Sequence, residues 1–337
     1  MKIYKMKNKI QNEVLVIGGS GYIGTVVSDY LRKKKFKVTN FDCLIYKKKN
    51  LITKNTNFKN INFIDIDKLE KNWKNYKTVI FLAGLVGDPI TKKYPKLANK
   101  INFTATKRLI NYLNKKKINQ LIFISTCSNY GLSNSKYKLS ENSRLKPISL
   151  YAKSKVEIEK YLLNNKKKLN YSFNILRFAT AFGSSSRMRF DLTINQFVNY
   201  IYFNKLVEVY DPDTWRPYCH VKDFARAIHK VILKAKEINY EVFNIGSNAN
   251  NFSKISIVKL IIKQMKKGKY IILKYSKDKR NYIVDFSKIK KKLNFSPKYS
   301  VNYGIKEIMI FLKKNKLKYL ETQKLGNYII NEKKFDI

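Results

Sequence analysis

The sequence predicts the α/β fold class, with a doubly wound parallel sheet followed by a smaller C-terminal α/β lobe. Apolar runs typical of buried strands alternate with helical patterns over the first half of the chain, as in a parallel sheet covered by helices on both faces. Glycines follow the first strand, and the apolar run 121–124 ends in a Ser-Thr-Cys-Ser-Asn cluster. Because ligands bind beyond the carboxyl ends of strands in such sheets, these residues are expected to line a site.

Six apolar runs are predicted to be strands of the sheet, and the helical patterns between them to be its covering helices. The run 14–18 is short and apolar, as expected of a strand buried on both faces. The other strands are predicted at 36–41, 61–64, 78–82, 121–125 and 172–177, and the helices at about 22–34, 96–116 and 151–166.

After residue 180 the alternation becomes less regular, which predicts a second, smaller lobe. Helices are predicted near 191–204, 221–236, 254–267 and 303–315, and strands near 206–209, 241–245 and 270–274. We therefore expect a first domain over residues 10–180 with later returns near 217–250, a second lobe formed mainly by residues 181–315, and a peripheral basic tail at 316–337.

The chain of 337 residues is strongly basic, with a formal net charge of +47. Such a charge suits nucleic acid or an anionic membrane surface as a partner. The lysines are spread over the chain in short runs, and the sequence shows neither a nucleic-acid-binding module nor the run of roughly 20 apolar residues that spans a membrane. We interpret the charge mainly as compositional bias, and we expect neither nucleic acid nor a membrane span.

Cysteine usage and the N-terminus favour a cytoplasmic location. Cys43, Cys127 and Cys219 lie far apart, form no CxxC pair and are odd in number, which is typical of a reducing compartment. The basic N-terminus has an apolar stretch of only about five residues, too short for a signal peptide. His220 and His229 show no metal-ligand spacing, so no metal site is expected.

The first motif predicts a dinucleotide site of the Rossmann type. Gly18, Gly21 and Gly24 follow the first strand and open the first helix. Glycines allow a tight turn and the close approach of a pyrophosphate, which the helix N-terminus attracts. Asp42, at the end of the second strand, is placed to bind both hydroxyls of an adenosine ribose and repels a 2′-phosphate, which favours NAD over NADP. Asp65 is either a contact to the adenine amine or a solvated loop acid.

The second motif is a candidate catalytic pair. Tyr151 and Lys155 lie four residues apart at the start of a predicted helix and therefore share a face. A free phenol, with a pKa of about 10, is a poor base at neutral pH, but a nearby ammonium and the positive nicotinamide ring favour the phenolate. In a chain so rich in Tyr and Lys, this pair gains specificity only from the glycine motif and the polar cluster after residue 124.

With these motifs the sequence resembles the extended short-chain dehydrogenase/reductases, in particular the NAD-dependent nucleotide-sugar epimerase/dehydratase family. The resemblance covers about residues 12–315 and rests on GGSGYIG, FLAGLVGD, INFTAT, STCSNYG, YAKSK, LRFATAFG, WRPYCHVKDFARAI, VFNIGS and KRNYIVDFSKIKKKL. It implies that Thr126 supplies the hydroxyl of a Ser/Thr-Tyr-Lys triad, with Tyr151 as base and Lys155 holding the nicotinamide ribose. The further cofactor contacts that we expect are Tyr22, Ile23, Ile66, Ala83, Gly84, Asn102 and Phe178.

The chain departs from one part of the family pattern. In the sugar 4,6-dehydratases of the family an Asp-Glu pair follows the triad threonine, whereas Cys127 and Ser128 follow it here. Neither residue is a carboxylic acid, so the chain resembles the non-dehydrating branch, and Cys127 is interpreted as a small filler at a strand end. The pieces LVGDP, RMRFDL and RPYCHVKD resemble the GDP-heptose C4-oxidising members.

Arginine is rare in this lysine-rich chain, so its positions are informative. Its planar guanidinium binds phosphate in a forked geometry that lysine lacks. The resemblance implies that Arg216 and Arg280 bind the diphosphate of a nucleotide sugar, and Arg189 and Arg187 are further substrate-binding candidates. Surface salt bridges are the alternative, which the scarcity of acids weakens.

The sequence therefore predicts an NAD-dependent oxidoreductase acting on a nucleotide-diphosphate sugar. Tyr151 would remove the proton of a sugar hydroxyl, at C4 in the favoured interpretation, as an epimerase or a C4-dehydrogenase. A non-catalytic family member that binds NAD as a sensor or scaffold is one alternative, and a nucleic-acid-binding protein is another. The resemblance also implies a homodimer in which the helices at about 96–116 and 151–166 pack against their copies.

Overall fold

The structure is a computed structural model that describes residues 13–46, 57–133, 137–273, 280–332 and 335. Its strands, numbered in chain order, are β1 Glu13–Ile17, β2 Lys37–Phe41, β3 Asn57–Lys59, β4 Thr78–Phe81, β5 Gln120–Thr126, β6 Lys138–Leu139, β7 Ser172–Phe178, β8 Thr180–Phe182, β9 Val207–Tyr210, β10 Trp215–His220, β11 Val242–Ile245, β12 Asn251–Ser253, β13 Tyr270–Leu273 and β14 Ile283–Val284. Its α-helices are α1 Tyr22–Lys33, α2 Ile66–Lys71, α3 Asp88–Lys93, α4 Pro95–Asn99, α5 Thr106–Asn114, α6 Leu150–Asn164, α7 Thr193–Tyr202, α8 Val221–Leu233, α9 Lys254–Met265, α10 Ser287–Leu293, α11 Val301–Lys314 and α12 Tyr319–Thr322.

The main sheet has seven strands in the order β11-β7-β5-β4-β1-β2-β3, and every neighbouring pair is parallel. The chain runs outward from β1 in one direction through β2 and β3, and in the other through β4, β5, β7 and β11. The order therefore reverses between β1 and β4, which is the topological switch point where such sheets bind ligands. The predicted fold class is confirmed.

Helices cover both faces of this sheet, and each buries the apolar stripe that the sequence shows. On one face, Val27 and Leu31 of α1 share a core with Phe224 and Ile228 of α8. On the other face, α5 and α6 bury leucines and isoleucines against the opposite side chains of the same strands. We call the core on this face the first core. All seven residues of β5 are buried, because β5 lies between β4 and β7 in the centre of the sheet.

The second lobe is built mainly after residue 180. Its own hydrophobic core packs α7, α9 and α11 around residues of β8, β9 and β10. Two returns to the first lobe interrupt it, since β11 pairs with β7 at the edge of the main sheet and residues 282–295 contribute apolar side chains to the core beneath α8.

The structure corrects the predicted strand at 61–64. The third strand is Asn57–Lys59, and the apolar residues after it lie in a turn. Ile61, Phe63 and Ile64 are nevertheless 4–6% exposed, because they pack into the core under the sheet edge. Burial of a loop produces the same apolar pattern as a strand, which explains the wrong prediction.

Two further expectations are corrected. The single helix predicted at 96–116 is α4 and α5 joined by a wider π-helical turn at Lys100–Ala105. The tail expected to be peripheral is packed against the body of the protein, since Asn327, Ile330 and Phe335 are 5%, 6% and 7% exposed. Ile330 and Phe335 of the tail pack into the core between the sheet and the helices α5 and α6, whereas Leu320 and Ile329 are exposed.

Candidate active site

An open cleft lies beyond the carboxyl ends of the strands at the switch point, with about 2210 Å³ of free space when the part open to solvent is included. It is lined by the turn after β1, the ends of β2, β4 and β5, the start of α6, the loop after β7, and residues of the second lobe. The polar cluster that ends the run 121–124 is one wall of this cleft. Most of the residues that the sequence predicted as site residues meet here, although they come from segments more than 250 residues apart.

The glycine turn forms the floor of the cleft. Gly18 has φ +88°, and a Cβ on it would lie 2.6 Å from the Ala83 nitrogen. A Cβ on Gly24 would lie 2.2 Å from the Gly18 oxygen. Gly21 precedes the first residue of α1, and no side chain caps that helix. The turn therefore brings backbone amides and a helix N-terminus to the cleft, which fits the pyrophosphate of a dinucleotide.

Asp42 lies at the end of β2 beside this turn. One carboxylate oxygen accepts a hydrogen bond from the Ser20 nitrogen at 2.9 Å, and the other accepts one from the Leu44 nitrogen at 2.8 Å. These two amides hold the carboxylate in a fixed orientation at the margin of the cleft. The placement suits a bidentate contact to the two hydroxyls of a ribose.

Of the other expected cofactor contacts, Tyr22, Ile23, Ala83, Gly84 and Phe178 line the cleft. Tyr22 also ties the two lobes together, because its buried hydroxyl donates to the Gly183 oxygen at 2.7 Å. Burial raises the pKa of this phenol, so it stays neutral. The aromatic ring of Phe178 stacks on Phe224 at 3.9 Å, which fixes it behind the site.

Three expected cofactor contacts do not line the cleft. Asp65 caps α2 by accepting from the Lys68 nitrogen at 3.0 Å, and Ile66 is the first residue of that helix. Asn102 is buried in the π-helical turn, where its side-chain amide makes two hydrogen bonds to the backbone of Leu85, at 2.8 and 2.9 Å. Asn102 therefore shapes the loop after β4, and the placement of Asp65 agrees with the loop-acid alternative.

Tyr151 and Lys155 lie in the first two turns of α6, which begins after Ser149, whose hydroxyl accepts from the Ala152 nitrogen. Both line the cleft. The Lys155 ammonium donates to the Ile124 oxygen at 2.8 Å and lies 5.9 Å from the centre of the Tyr151 ring. Burial lowers the pKa of Lys155 to about 8, so the amine remains mostly cationic at neutral pH.

The electrostatics of Tyr151 differ from the sequence expectation. Burial raises the pKa of its phenol above the usual value, and the charge that opposes this rise most is the guanidinium of Arg189. The Asp88 carboxylate works in the opposite direction. The protein alone therefore holds Tyr151 as a neutral phenol, and the phenolate depends on further positive charge in the cleft.

The polar end of β5 serves several structural roles. The Thr126 hydroxyl faces the cleft margin and accepts from the Ser128 nitrogen at 3.1 Å. Cys127 is buried, and its thiol donates to the Arg177 oxygen at 3.2 Å. Burial raises the pKa of this thiol well above its usual value, so Cys127 is an unreactive filler. Ser125 donates to the Glu159 carboxylate.

Glu159 does not line the cleft but supports Lys155 from behind it, and sequence reasoning missed this residue. It lies one turn after Lys155 on the same face of α6, is 1% exposed, and forms an ion pair with Arg177 of β7 at 2.7 Å. It also accepts from the Asn129 amide at 2.8 Å. Burial alone would lower the pKa of Arg177, and Glu159 more than offsets that effect. The spacing of four residues places Glu159 on the same face of α6 as Lys155, and this was the signal in the sequence. The pairing of Glu159 with Arg177 depends on the register of the sheet, which the spacing does not give.

Arg216 and Arg280 meet at the second-lobe side of the cleft. The Arg216 guanidinium donates to the backbone oxygens of Trp215 and Arg280 and lies 5.2 Å from the centre of the Tyr282 ring. Arg280 forms an ion pair with Asp88 at 2.8 Å and donates to the Ser128 hydroxyl at 3.3 Å. This arrangement presents two guanidinium groups to an anionic ligand.

Arg187 and Arg189 lie on the loop before α7, and both line the cleft. Arg189 makes a bidentate ion pair with Asp191, at 3.0 and 2.7 Å. Arg187 lies 4.4 Å from the centre of the Tyr46 ring and donates to the Gly326 oxygen at 3.2 Å. Burial lowers the pKa of Arg187 to about 10, which leaves it a cation at neutral pH.

Neither a metal site nor a membrane span is found in the described part of the chain. No three His, Cys, Asp or Glu side chains there group as metal ligands, and none of its helices combines the length and apolarity that crossing a membrane requires. His220 is buried and pairs with Glu307 at 3.0 Å, while its other ring nitrogen accepts from the Lys222 nitrogen. This histidine is structural.

Comparison with known proteins agrees with the fold and the glycine turn. Residues 14–246 match the model of the NAD dependent epimerase/dehydratase family. The UDP-glucuronate 4-epimerase of Thermodesulfobacterium geofontis is 28% identical over 319 residues, which cover 89% of this chain and 96% of that protein.

Solved structures agree with the observed fold. The UDP-glucose 4-epimerase of Thermotoga maritima with UDP-glucose superimposes with a TM-score of 0.81 at 26% identity, over 90% of this chain and 100% of that one. The UDP-glucose 4-epimerase of Thermus thermophilus in complex with NAD superimposes with a TM-score of 0.80 at 19% identity, over 89% and 99%. At 19% identity, the likeness to the Thermus thermophilus structure shows a shared fold only.

Proposed function

The chain belongs to the NAD-dependent epimerase/dehydratase family, and we propose that it oxidises C4 of a nucleotide-diphosphate sugar, as an epimerase or as a C4-dehydrogenase. The observation that carries this proposal is the convergence of Tyr151, Lys155 and Thr126 at one cleft that also holds the glycine turn and Asp42. The curated relative named above is a UDP-sugar 4-epimerase, which favours UDP-sugars as the first substrates to test.

In the proposed mechanism the chain's own residues move one proton. Tyr151, as the phenolate, accepts the proton of the C4 hydroxyl, while Thr126 hydrogen-bonds the same oxygen and fixes its position. Bound NAD would supply the hydride acceptor for C4 and the positive ring that favours the phenolate. A C4 ketone results. Lys155 holds a positive charge below the ring of Tyr151 and binds the nicotinamide ribose.

In this proposal each lobe binds a different ligand. The glycine turn and Asp42 would hold NAD, and Asp42 would select against a 2′-phosphate. Arg216 and Arg280 would bind the diphosphate of the sugar nucleotide, with Arg280 exchanging its ion pair to Asp88 for a phosphate oxygen. Hydride return to the opposite face of the sugar would give an epimer, and release of the ketone would give a dehydrogenase.

We also infer that the chain has no 4,6-dehydratase activity. The positions after Thr126 hold a buried thiol that donates to a backbone oxygen and a hydroxyl that accepts from Arg280. Neither group supplies the acid and base that loss of water requires. Incubation with nucleotide-linked glucose or mannose should therefore give no 4-keto-6-deoxy product.

The test of the proposed function is Tyr151→Phe. Phe keeps the ring but has no oxygen to accept a proton, and losing a general base costs about 10²–10⁴-fold in rate. Single-turnover reduction of bound NAD by a panel of UDP- and GDP-sugars gives the rate, and calorimetry gives the affinities, which should stay close to wild type. Tyr161→Phe on the same helix, whose hydroxyl donates to Asn111, is the matched control. Near-normal turnover by Tyr151→Phe would show that the proton acceptor lies elsewhere.

A further inference from the structure

The C-terminal segment, residues 325–331, reaches the cleft at Asn327 and is bonded to the second lobe. The Leu325 oxygen accepts from the Phe190 nitrogen at 2.7 Å, and the Gly326 oxygen accepts from Arg187. The Asn327 nitrogen donates to the Asp191 carboxylate at 3.3 Å. Because Asp191 is also the partner of Arg189, the segment and the arginine loop are held as one unit.

The same segment is bonded to the first lobe. The Asn327 amide donates to the Val86 oxygen at 2.9 Å, and the Asn331 nitrogen donates to the Ile45 oxygen at 2.9 Å. Val86 follows β4 and Ile45 follows β2, and these two strands flank β1 in the sheet. Ile330 is buried in the first core next to these loops. The segment therefore spans the cleft from one lobe to the other on the side of Asp42.

Two groups of this region are buried at the cleft without a full set of partners. Asn327 is 5% exposed and lines the cleft, and its Oδ1 has no hydrogen-bond partner among the described residues. The bond from its nitrogen to Val86 fixes which amide atom is which, so Oδ1 is an acceptor in need of a donor. Arg187 is 7% exposed and forms no ion pair within the described ranges. Asp42 and Asp191 act on this guanidinium only from beyond ion-pair distance, and Arg189 repels it. A buried cation with no direct ion pair favours an anionic ligand.

We propose that the C-terminal segment is the outer wall of the NAD site, and that NAD leaves only when this segment detaches. Arg187 pairs with the pyrophosphate of the dinucleotide, and Asn327 Oδ1 accepts from a ribose hydroxyl. The position beside Ile45 and Tyr46, which follow Asp42 in the chain, assigns both groups to the dinucleotide rather than to the diphosphate of the sugar. The inference rests on the NAD site of the proposed function and not on its reaction.

A wall of this kind keeps the dinucleotide in place between the two half-reactions. An epimerase needs this, because the hydride removed from the sugar has to be returned to it before the reduced cofactor escapes. A dehydrogenase, by contrast, has to release the reduced cofactor in every cycle.

The experiment measures release of NADH by stopped-flow fluorescence after mixing with excess NAD. Three proteins are compared with wild type: a chain ending at Gln323, which keeps α12 and its bond from Asn199 to Thr322; Asn327→Ala; and Ile329→Ala as the control. Ile329 belongs to the segment but is 71% exposed. Circular dichroism checks that each variant is folded. No sugar is needed, so the result is independent of whether the proposed reaction is right.

We expect release to be at least about tenfold faster from the truncated chain. Asn327→Ala should be about 3- to 10-fold faster, because it loses two hydrogen bonds of ordinary strength, and Ile329→Ala should match wild type. Release at the wild-type rate from a folded truncated chain overturns the proposal. If the truncated chain does not fold, Asn327→Ala decides, and an unchanged rate for that variant also overturns it. Equal acceleration by Ile329→Ala would show general loosening and would overturn it as well.

Discussion

Replacing Glu159 by Gln should destabilise the protein more than any other single isosteric change near the cleft. The side chain is 1% exposed, and its two oxygens share the single N–H of Arg177 Nε, at 3.2 and 3.0 Å. They also accept from the Arg177 Nη2 at 2.7 Å and from Ser125 and Asn129. Gln keeps the shape but removes the charge. Arg177, 4% exposed, is then a buried cation without a counter-charge.

The expected loss of unfolding free energy is about 3–5 kcal/mol, which is the cost of removing one partner of a buried ion pair. A domain of ordinary stability has about 5–15 kcal/mol in total, so the loss is large but leaves a folded protein to measure. The double variant Glu159→Gln/Arg177→Met should recover part of it, because no charge is then left unpaired. Arg177→Met alone also removes bonds to Tyr130 and the Glu141 oxygen.

Urea unfolding of the four proteins of this cycle gives the coupling energy, which we expect to exceed about 2 kcal/mol. Activity provides a second measurement. Glu159 raises the pKa of Lys155, so Glu159→Gln should lower it further below about 8 and weaken NAD reduction at pH 8 more than at pH 6.5. A loss below about 1 kcal/mol for Glu159→Gln, or additive single variants, would refute the reasoning.

Three further predictions concern the cofactor, the buried lysine and assembly. Asp42→Asn should weaken NAD and strengthen NADP binding, since the charge that repels a 2′-phosphate is gone; calorimetry with both dinucleotides tests this, and an unchanged preference contradicts it. The pKa of Lys155 is about 8 in the folded protein and 10.5 in the unfolded chain. Between these two pH values the unfolded chain binds more protons, so the free energy of unfolding rises with pH over that range. Relative to Lys155→Met, wild type should gain about 2 kcal/mol between pH 7 and pH 9.5, and a flat difference in urea unfolding would count against the shift. Finally, we expect a homodimer through α5 and α6, weakened at low salt by the charge of +47; light scattering at two salt concentrations should show it, and a monomer at both would rule it out.

The parts of the site that the sequence predicted are those encoded by local patterns. The glycine turn, the end of β2 and the first turns of α6 each place their residues through a few neighbours in the chain, so the spacing of Gly18, Gly24, Tyr151 and Lys155 was sufficient. Arg216 and Arg280 were found through family resemblance, and the structure brings them together across 64 residues through the return at β14.

The parts that the sequence did not predict depend on register and long-range packing. The pairing of Glu159 with Arg177 requires knowing which residue of β7 faces α6, and no spacing contains that information. The tail is an extreme case, because Asn327 bonds to Val86, which lies 241 residues earlier. Its composition is basic and polar, so the sequence did not show that Asn327 lines the cleft or that Ile330 and Phe335 pack into the core.

The placement of these parts bears on which of the two proposed reactions the chain performs. In the proposed reaction, oxidation at C4 would depend on Tyr151 and Lys155, which lie on α6 in the first lobe. If both proposals hold, retention of the sugar ketone would depend on Arg216 and Arg280 in the second lobe, and retention of the reduced cofactor would depend on the C-terminal segment, which is bonded to both lobes. Return of the hydride would compete with release of either ligand, so we expect these two contacts, rather than the catalytic pair, to decide the product. A chain that keeps both ligands is an epimerase, and loosening of either contact turns the same chemistry into that of a dehydrogenase.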